Sequence, residues 1–114
     1  MIVVNWTKDK TGTINITVNG HAGTRGQGDT DVVCSATSML VQTLLQCGQD
    51  LANEGTFELF NAKLSGGSAD FKIRYKAKNS RDYEMFEKIF KTGFLLLQGS
   101  YNSMVSLRCE KVEK

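Results

Sequence analysis

The amino-acid sequence predicts an α+β fold, with two helices packed on one face of a mostly antiparallel five-stranded sheet in the order β-β-α-β-β-α-β. Three observations predict it. Five runs are rich in β-branched and aromatic residues, several of them alternating with polar ones. Two longer segments switch to a three- and four-residue apolar period. The breaks between these runs are built from Gly, Asn and Asp, since the chain has 11 glycines and no proline. At 114 residues the chain has the size of one domain and can bury a core, so a single unit over 1–114 is expected.

Ile2 to Thr7 and Thr13 to Val18 read as a first pair of strands around Lys8-Asp9-Lys10-Thr11-Gly12. In the second of them Ile14, Ile16 and Val18 alternate with Asn15 and Thr17, the pattern of one buried face. Gly20-His21-Ala22-Gly23 follows, and then a stretch to Thr30 without apolar side chains; 21–30 is expected to be a mobile Gly-rich surface loop. From Val32 to about Asn53 the stripe Val33, Ala36, Leu40, Leu44, Cys47 and Leu51, widened by Val41 and Leu45, predicts a well-covered helix. Asp31 stands at its expected N-cap and Gly55 beyond its end.

Thr56 to Leu64 and Ala69 to Lys76 form a second pair of strands around Ser65-Gly66-Gly67-Ser68. Phe71, Ile73 and Tyr75 alternate with Lys72, Arg74 and Lys76, which predicts a basic outer face. A second helix is expected from about Arg81 to Gln98, capped by Ser80 and closed by Gly99, with Phe86, Ile89, Phe90, Phe94 and Leu97 inward. Asn102 to Val112 supplies the fifth strand, with Met104 or Val105 and Leu107 as core candidates.

Composition narrows the function classes. Hydrophobic residues are 40% and charged residues 23%, ordinary globular values that argue against disorder. A net charge of +2 does not by itself imply a nucleic-acid or anionic-membrane partner. The aliphatic block Phe94 to Leu97 is far shorter than the ~20 residues of a membrane span. Residues 1–10 lack the basic start and apolar stretch of a signal peptide, so a cytoplasmic domain with reduced thiols is expected. Cys34, Cys47, Cys109 and the single histidine have no metal-ligand spacing, so neither a metal nor a cofactor is expected.

One segment carries chemistry. With Asp31 as N-cap, Cys34 is the third helical residue, where the positive helix end and unpaired amides favour a thiolate. An imidazole at His21 within reach would complete a thiolate–imidazolium pair, the activated state of a cysteine nucleophile. The same amides, including that of Cys34, would serve as an oxyanion hole. Cys47 and Cys109 read as small buried hydrophobes. Asp31 reads as a cap that can also orient an imidazole. Ser38, one turn after Cys34, either satisfies a backbone carbonyl or donates to the site.

Gly20-His21-Ala22, a Gly-rich spacer, then Asp31-Val32-Val33-Cys34-Ser35-Ala36 and Ser38 resemble the ribosomal-processing cysteine protease family, Prp. The family pattern joins Gly-His-Ala to an Asp-x-Val-Cys-Ala-x-x-Ser helix start, and the likeness extends over nearly the whole chain. Ser35 stands where the family usually has Ala, and the spacer carries Arg25 without a histidine or aromatic. The resemblance implies a cysteine endopeptidase that trims a short N-terminal extension from a large-subunit ribosomal protein precursor, after an aromatic-rich segment. For phage relatives it implies a capsid or scaffold substrate. It further implies Cys34 as nucleophile, His21 as general base and then acid, Asp31 and Ser38 as supporting residues, and Gly20 as hinge of the 21–30 loop. A homodimer, with no membrane or direct nucleic-acid role, is implied as well. The rival from another class is a non-catalytic ribosome- or RNA-binding module using Lys72, Arg74, Lys76, Lys78 and Arg81 beside Tyr75. Glu58, Glu84, Glu87 and Glu110 dilute that basic face.

Overall fold

A computed structural model describes residues 1–20 and 28–111. Its elements are β1 (Ile2–Lys8), β2 (Ile14–Gly20), α1 (Gly28–Asn53), β3 (Phe57–Ser65), β4 (Ser68–Tyr75), α2 (Ser80–Ser100) and β5 (Val105–Lys111). The five strands form one sheet in the order β3-β4-β2-β1-β5. Only β1 and β5 run parallel; the pairs β1–β2, β2–β4 and β3–β4 are antiparallel. A parallel pairing needs a long crossover, and α2 provides it between β4 and β5. The expected α+β architecture and element order are therefore observed.

Alternation decides which face is covered. Ile2, Val4 and Trp6 of β1, Ile14, Ile16 and Val18 of β2, and Ala69, Phe71 and Ile73 of β4 are all buried. Their neighbours Asn5, Thr17, Lys72 and Arg74 lie on the opposite, polar face, where Lys72 and Arg74 are exposed as the alternation predicts. Both turns use local chemistry. The Asp9 carboxylate accepts the Thr11 and Thr13 amides at 2.9 and 3.0 Å and the Thr11 hydroxyl besides. The hydroxyl contact first, and then the two amides, hold its carboxyl below the usual carboxylate range. In the second hairpin Ser65 pairs with Ser68 and leaves Gly66-Gly67 as the turn, with Gly67 at φ +76°.

Helix α1 begins at Gly28, so residues 28–30 are helical rather than part of the expected loop; the rest of that loop, 21–27, lies outside the described residues. Asp31 is accordingly inside the first turn and is not the N-cap. Thr30 is buried against the core and Asp29 and Asp31 place negative charge at the positive helix end, both of which support the earlier start. The buried row is Thr30, Val33, Thr37, Val41, Leu44 and Gly48, while Leu40, Leu45, Cys47 and Leu51 pack half-buried along its flanks.

Helix α2 buries Tyr83, Phe86, Phe90 and Phe94. Ile89, expected inward, is 57% exposed. At 3.6 residues per turn it stands more than a quarter turn from the centre of that row. Ser80 is the first helical residue rather than the cap. Asn79, the last residue of a 3₁₀ turn at Ala77–Asn79, precedes it and donates its side-chain amide to the Thr56 carbonyl at 3.1 Å instead of capping. Gly99 is helical too. The Tyr101 amide closes the end on the Leu97 carbonyl at 2.8 Å with no left-handed residue required. Beyond it Val105 is buried and Met104 and Leu107 pack on the core, as expected; the Gln98 side chain accepts the Leu107 amide at 2.6 Å.

A seam of rings joins α2 to the sheet. Phe86 meets Phe57 edge-on at 5.2 Å between centroids, and Tyr83 stacks on Tyr75 at 4.4 Å and 9°. A bulge between Phe57 and Leu59 turns both Phe57 and Phe60 toward the core although they are three residues apart. Phe60 lies against Gly48 of α1 so closely that a Cβ at position 48 would overlap its ring. Gly93 of α2 faces instead the movable methyl end of Leu40, 2.7 Å from where a Cβ would stand. Two outcomes are expected in thermal unfolding followed by circular dichroism. Gly48→Ala lowers the Tm, because overpacking of about 1–3 kcal/mol exceeds the gain of up to about 1 kcal/mol from helix propensity. Gly93→Ala leaves it unchanged or raises it, since the Leu40 end can turn aside and the propensity gain of about 1 kcal/mol remains.

Candidate active site

A cleft of about 1080 Å³ opens between the N-terminal half of α1 and the adjoining ends of β1, β2 and the β3–β4 hairpin. From α1 it is lined by Asp31, Cys34, Thr37, Ser38 and Val41, and from the sheet side by Ile2, Val18, Gly20, Leu64 and Ala69. The helix side therefore carries a thiol, hydroxyls and a carboxylate beside Val41, and the sheet side carries aliphatic side chains beside Ser65 and Ser68. Four of the five residues singled out in the sequence, Gly20, Asp31, Cys34 and Ser38, meet at this single cleft. The fifth, His21, lies outside the described residues.

The helix sets the exposure of each residue. Val33 is fully buried, and Cys34, the next residue around the helix, is half-buried at the border between core and cleft. Asp31 and Ser38, three residues before and four after Cys34, share its face and are exposed. Because α1 starts at Gly28, Cys34 is its seventh residue and not its third. Backbone amides beyond the first four of a helix are engaged with carbonyls of the preceding turn, so the Cys34 amide is not among the free donors expected for an oxyanion hole. The helix-end field also falls off within the first turn.

Gly20 is held on two sides. Its amide donates to the Gly67 carbonyl at 2.9 Å, and its Cα pairs with Ile2 at the last rung of the β1–β2 ladder. With φ at +103° and the Met1 carbonyl oxygen pressed against the place of a Cβ, the position admits only glycine without strain. Next to it the Ser68 hydroxyl donates to the Asn19 side-chain oxygen at 2.8 Å, tying the end of β2 to the hairpin tip.

The other two cysteines differ from their expected reading in one case. Cys47 packs half-buried on the core, and burial first, then the Asp50 and Glu54 carboxylates, push its thiol up from the ordinary value. Cys109 is exposed rather than buried, since β5 is an edge strand with a neighbour on one side only. All three thiols are free.

Sequence reading missed Thr37 and the strand-side wall. Thr37 is 7% exposed and its hydroxyl has no hydrogen-bond partner among the described residues. Its spacing of three from Cys34 places it on the same helix face, a signal present in the sequence. Val18, Leu64 and Ala69 become cleft residues only through the β2–β4 and β3–β4 pairings, which no local pattern reveals.

Comparison with known proteins adds to this geometry. The family model described as cysteine protease Prp matches residues 1–106. Among solved structures the chain is similar to SMU.848 from Streptococcus mutans, at 23% identity over 98% of this chain and 96% of that one, with a TM-score of 0.69. It is also similar to the essential ribosomal processing protease Prp from Staphylococcus aureus in complex with a covalently linked product peptide, at 18% identity, 96% and 100% coverage and a TM-score of 0.69. A second structure of that protease, with a substrate peptide, matches at 15% identity with the same coverage and TM-score, 0.69 over 96% and 100%. None of the curated proteins matches the chain. At such identities the structural likeness speaks for the fold, and the family match over nearly the full length speaks for the lineage: the chain belongs to the Prp family of cysteine proteases.

Proposed function

We propose that the protein is the endopeptidase that removes a short N-terminal extension from a large-subunit ribosomal protein precursor, with Cys34 as nucleophile and His21 as its base. The observation that carries this reading is the shared cleft: Cys34 lines it together with Gly20, the residue covalently joined to His21. His21 takes the thiol proton, and the Cys34 thiolate adds to the scissile carbonyl carbon. The carbon–nitrogen bond then breaks, the leaving amine takes the proton from His21, and a thioester joins the acyl group to Cys34. Water, deprotonated by His21, hydrolyses the thioester and restores the free thiol.

Cys34 lies in the second helical turn, so its activation rests on the imidazole more than on the helix end. Asp31 supports His21 by orienting its ring, and Ser38 supplies a donor at the cleft mouth. Gly20 acts as the hinge at which the segment after β2 closes over the peptide; its positive φ is a conformation only glycine takes freely. The aliphatic side chains of Ile2, Val18, Leu64 and Ala69, with Val41 across the cleft, suit the aromatic side chains of the substrate. The reading carries with it a homodimer working in the cytoplasm. Among the described helices none is long and apolar enough to cross a membrane.

Two measurements test it. In site-resolved alkylation, Cys34 is expected to react faster than Cys47 and Cys109 at neutral pH and to slow in His21→Ala. Cys47, whose thiol is pushed up by burial, should have less thiolate at every pH and react only at higher pH. An ordinary Cys34 profile unchanged by His21→Ala would exclude the dyad. In a cleavage assay followed by mass spectrometry, wild type is expected to release the extension of the ribosomal precursor. Cys34→Ala should lose at least about a thousandfold in rate with its Tm preserved. Cleavage of a phage capsid or scaffold precursor in its place would redirect the substrate. RNA affinity that falls steeply with salt and survives Cys34→Ala, without any cleavage, would favour the binding module.

A further inference from the structure

We propose that Thr37 is a substrate-binding residue of this site, its hydroxyl donating a hydrogen bond to a main-chain carbonyl of the peptide in the cleft; this rests on the peptidase reading above. Thr37 belongs to the cleft wall, is 7% exposed, and its Oγ1 is closed off from solvent with no partner among the described residues. A buried hydroxyl without a partner is uncommon, because it has given up water and gained nothing in return.

Two other threonines show what the usual remedies are. Thr43, six residues on in the same helix, donates back to the Met39 carbonyl at 2.7 Å. Thr13, equally buried, accepts from the Arg74 guanidinium at 2.9 Å and shares a hydrogen bond with Thr11 at 3.1 Å. Thr37 makes neither kind of contact although the helix offers it the carbonyl four residues earlier.

Position gives the orphan hydroxyl its use. Thr37 follows Cys34 by three residues, so the two side chains are neighbours on one helix face, with Cβ atoms about 5–6 Å apart. An extended peptide advances about 3.3–3.6 Å per residue. A chain whose scissile carbonyl meets Cys34 therefore brings another peptide carbonyl past Thr37 within one or two residues of the cut. Rotation about χ1 to another staggered position is the motion by which the hydroxyl would leave the wall for that carbonyl. The contact is to the main chain, so it fixes the depth and register of the peptide without selecting its side chains.

The test compares wild type with Thr37→Val, Thr37→Ser and a quenched-fluorescence peptide spanning the processing site of a large-subunit ribosomal protein precursor. Valine keeps the shape and removes the hydroxyl. The expected result is a KM raised about three- to tenfold, the loss of one neutral hydrogen bond, with kcat nearly unchanged. Thr37→Ser should restore the KM, and the Tm of Thr37→Val should equal or exceed that of wild type. Equal KM values for wild type and Thr37→Val, or a Tm that falls together with activity, would overturn the role of Thr37 and leave the peptidase reading standing. Failure of wild type itself to cut the peptide would instead overturn the ribosomal reading and this inference with it.

Discussion

The seating of α1 on the sheet is the constraint from which the site follows. Thr30, Val33, Thr37, Val41, Leu44 and Gly48 recur at steps of three and four and form the buried row of the helix. Val33 and Leu44 are fully buried, and Gly48 lets the helix come down onto the Phe60 ring. With its rotation about the axis fixed in this way, the helix cannot turn Cys34 further in or out. A residue one step around from Val33 must stand at the rim of the buried face, half in the core and half in the cleft. Rigid elements hold reactive groups more sharply than loops do, and here the thiol is borne by a helix of 26 residues.

The opposite wall depends on long-range pairings. The middle of the sheet, β4-β2-β1, brings the ends of β1 and β2 beside the β3–β4 turn. Gly20 bonded to Gly67, and Ser68 bonded to Asn19, lock that corner. Far from the cleft, α2 is tied to the sheet by a polar thread inside the aromatic seam: the Trp6 indole donates to the Tyr83 oxygen at 2.9 Å, and the Tyr83 hydroxyl reaches Glu87 at 3.1 Å. Burial pushes the Tyr83 phenol far above its ordinary value, so it stays a neutral donor and acceptor throughout the working pH range. Lys91 pairs with Glu87 at 3.2 Å and lies over the Trp6 ring, which covers the outer end of this thread.

What the sequence disclosed follows the physics of each pattern. Strands with one buried face announce themselves by alternation, and Ile14-Ile16-Val18 and Phe71-Ile73 did so plainly. Helices were recognised by period, but the exact facing was blurred, because Thr30, Thr37 and Gly48 hold buried positions without counting as apolar residues. The same limit shifted the start of α1. Gly28-Asp29-Thr30 reads as loop by composition and becomes helix because Thr30 is packed against the core. Ile89 shows the reverse error, an apolar residue in a helical period that the aromatic row Tyr83-Phe86-Phe90-Phe94 leaves outside. The bulge after Phe57 is a property of pairing with β4 and has no local signature. Of the cleft, Asp31, Cys34 and Ser38 were legible through their motif and helical spacing, and Gly20 through its place before His21. Thr37 was hidden by its polarity, and Val18, Leu64 and Ala69 required the strand order.

The later helix position of Cys34 changes how the chemistry must be divided. A thiol in the first turn would draw activation and oxyanion stabilisation from the same free amides, making one helix end sufficient. In the second turn those amides are engaged, and the helix contributes position alone. On the proposed reading, proton transfer is then left to His21, and charge stabilisation to donors carried by side chains or by main chain outside α1. The fold meets the first demand at one point. Gly20, at positive φ and bonded to the hairpin tip, fixes where the chain leaves β2. On the proposed reading, with Cys34 as nucleophile and His21 as base, the helix therefore fixes the position of one partner, and Gly20 at the cleft edge is the residue to which the other is joined.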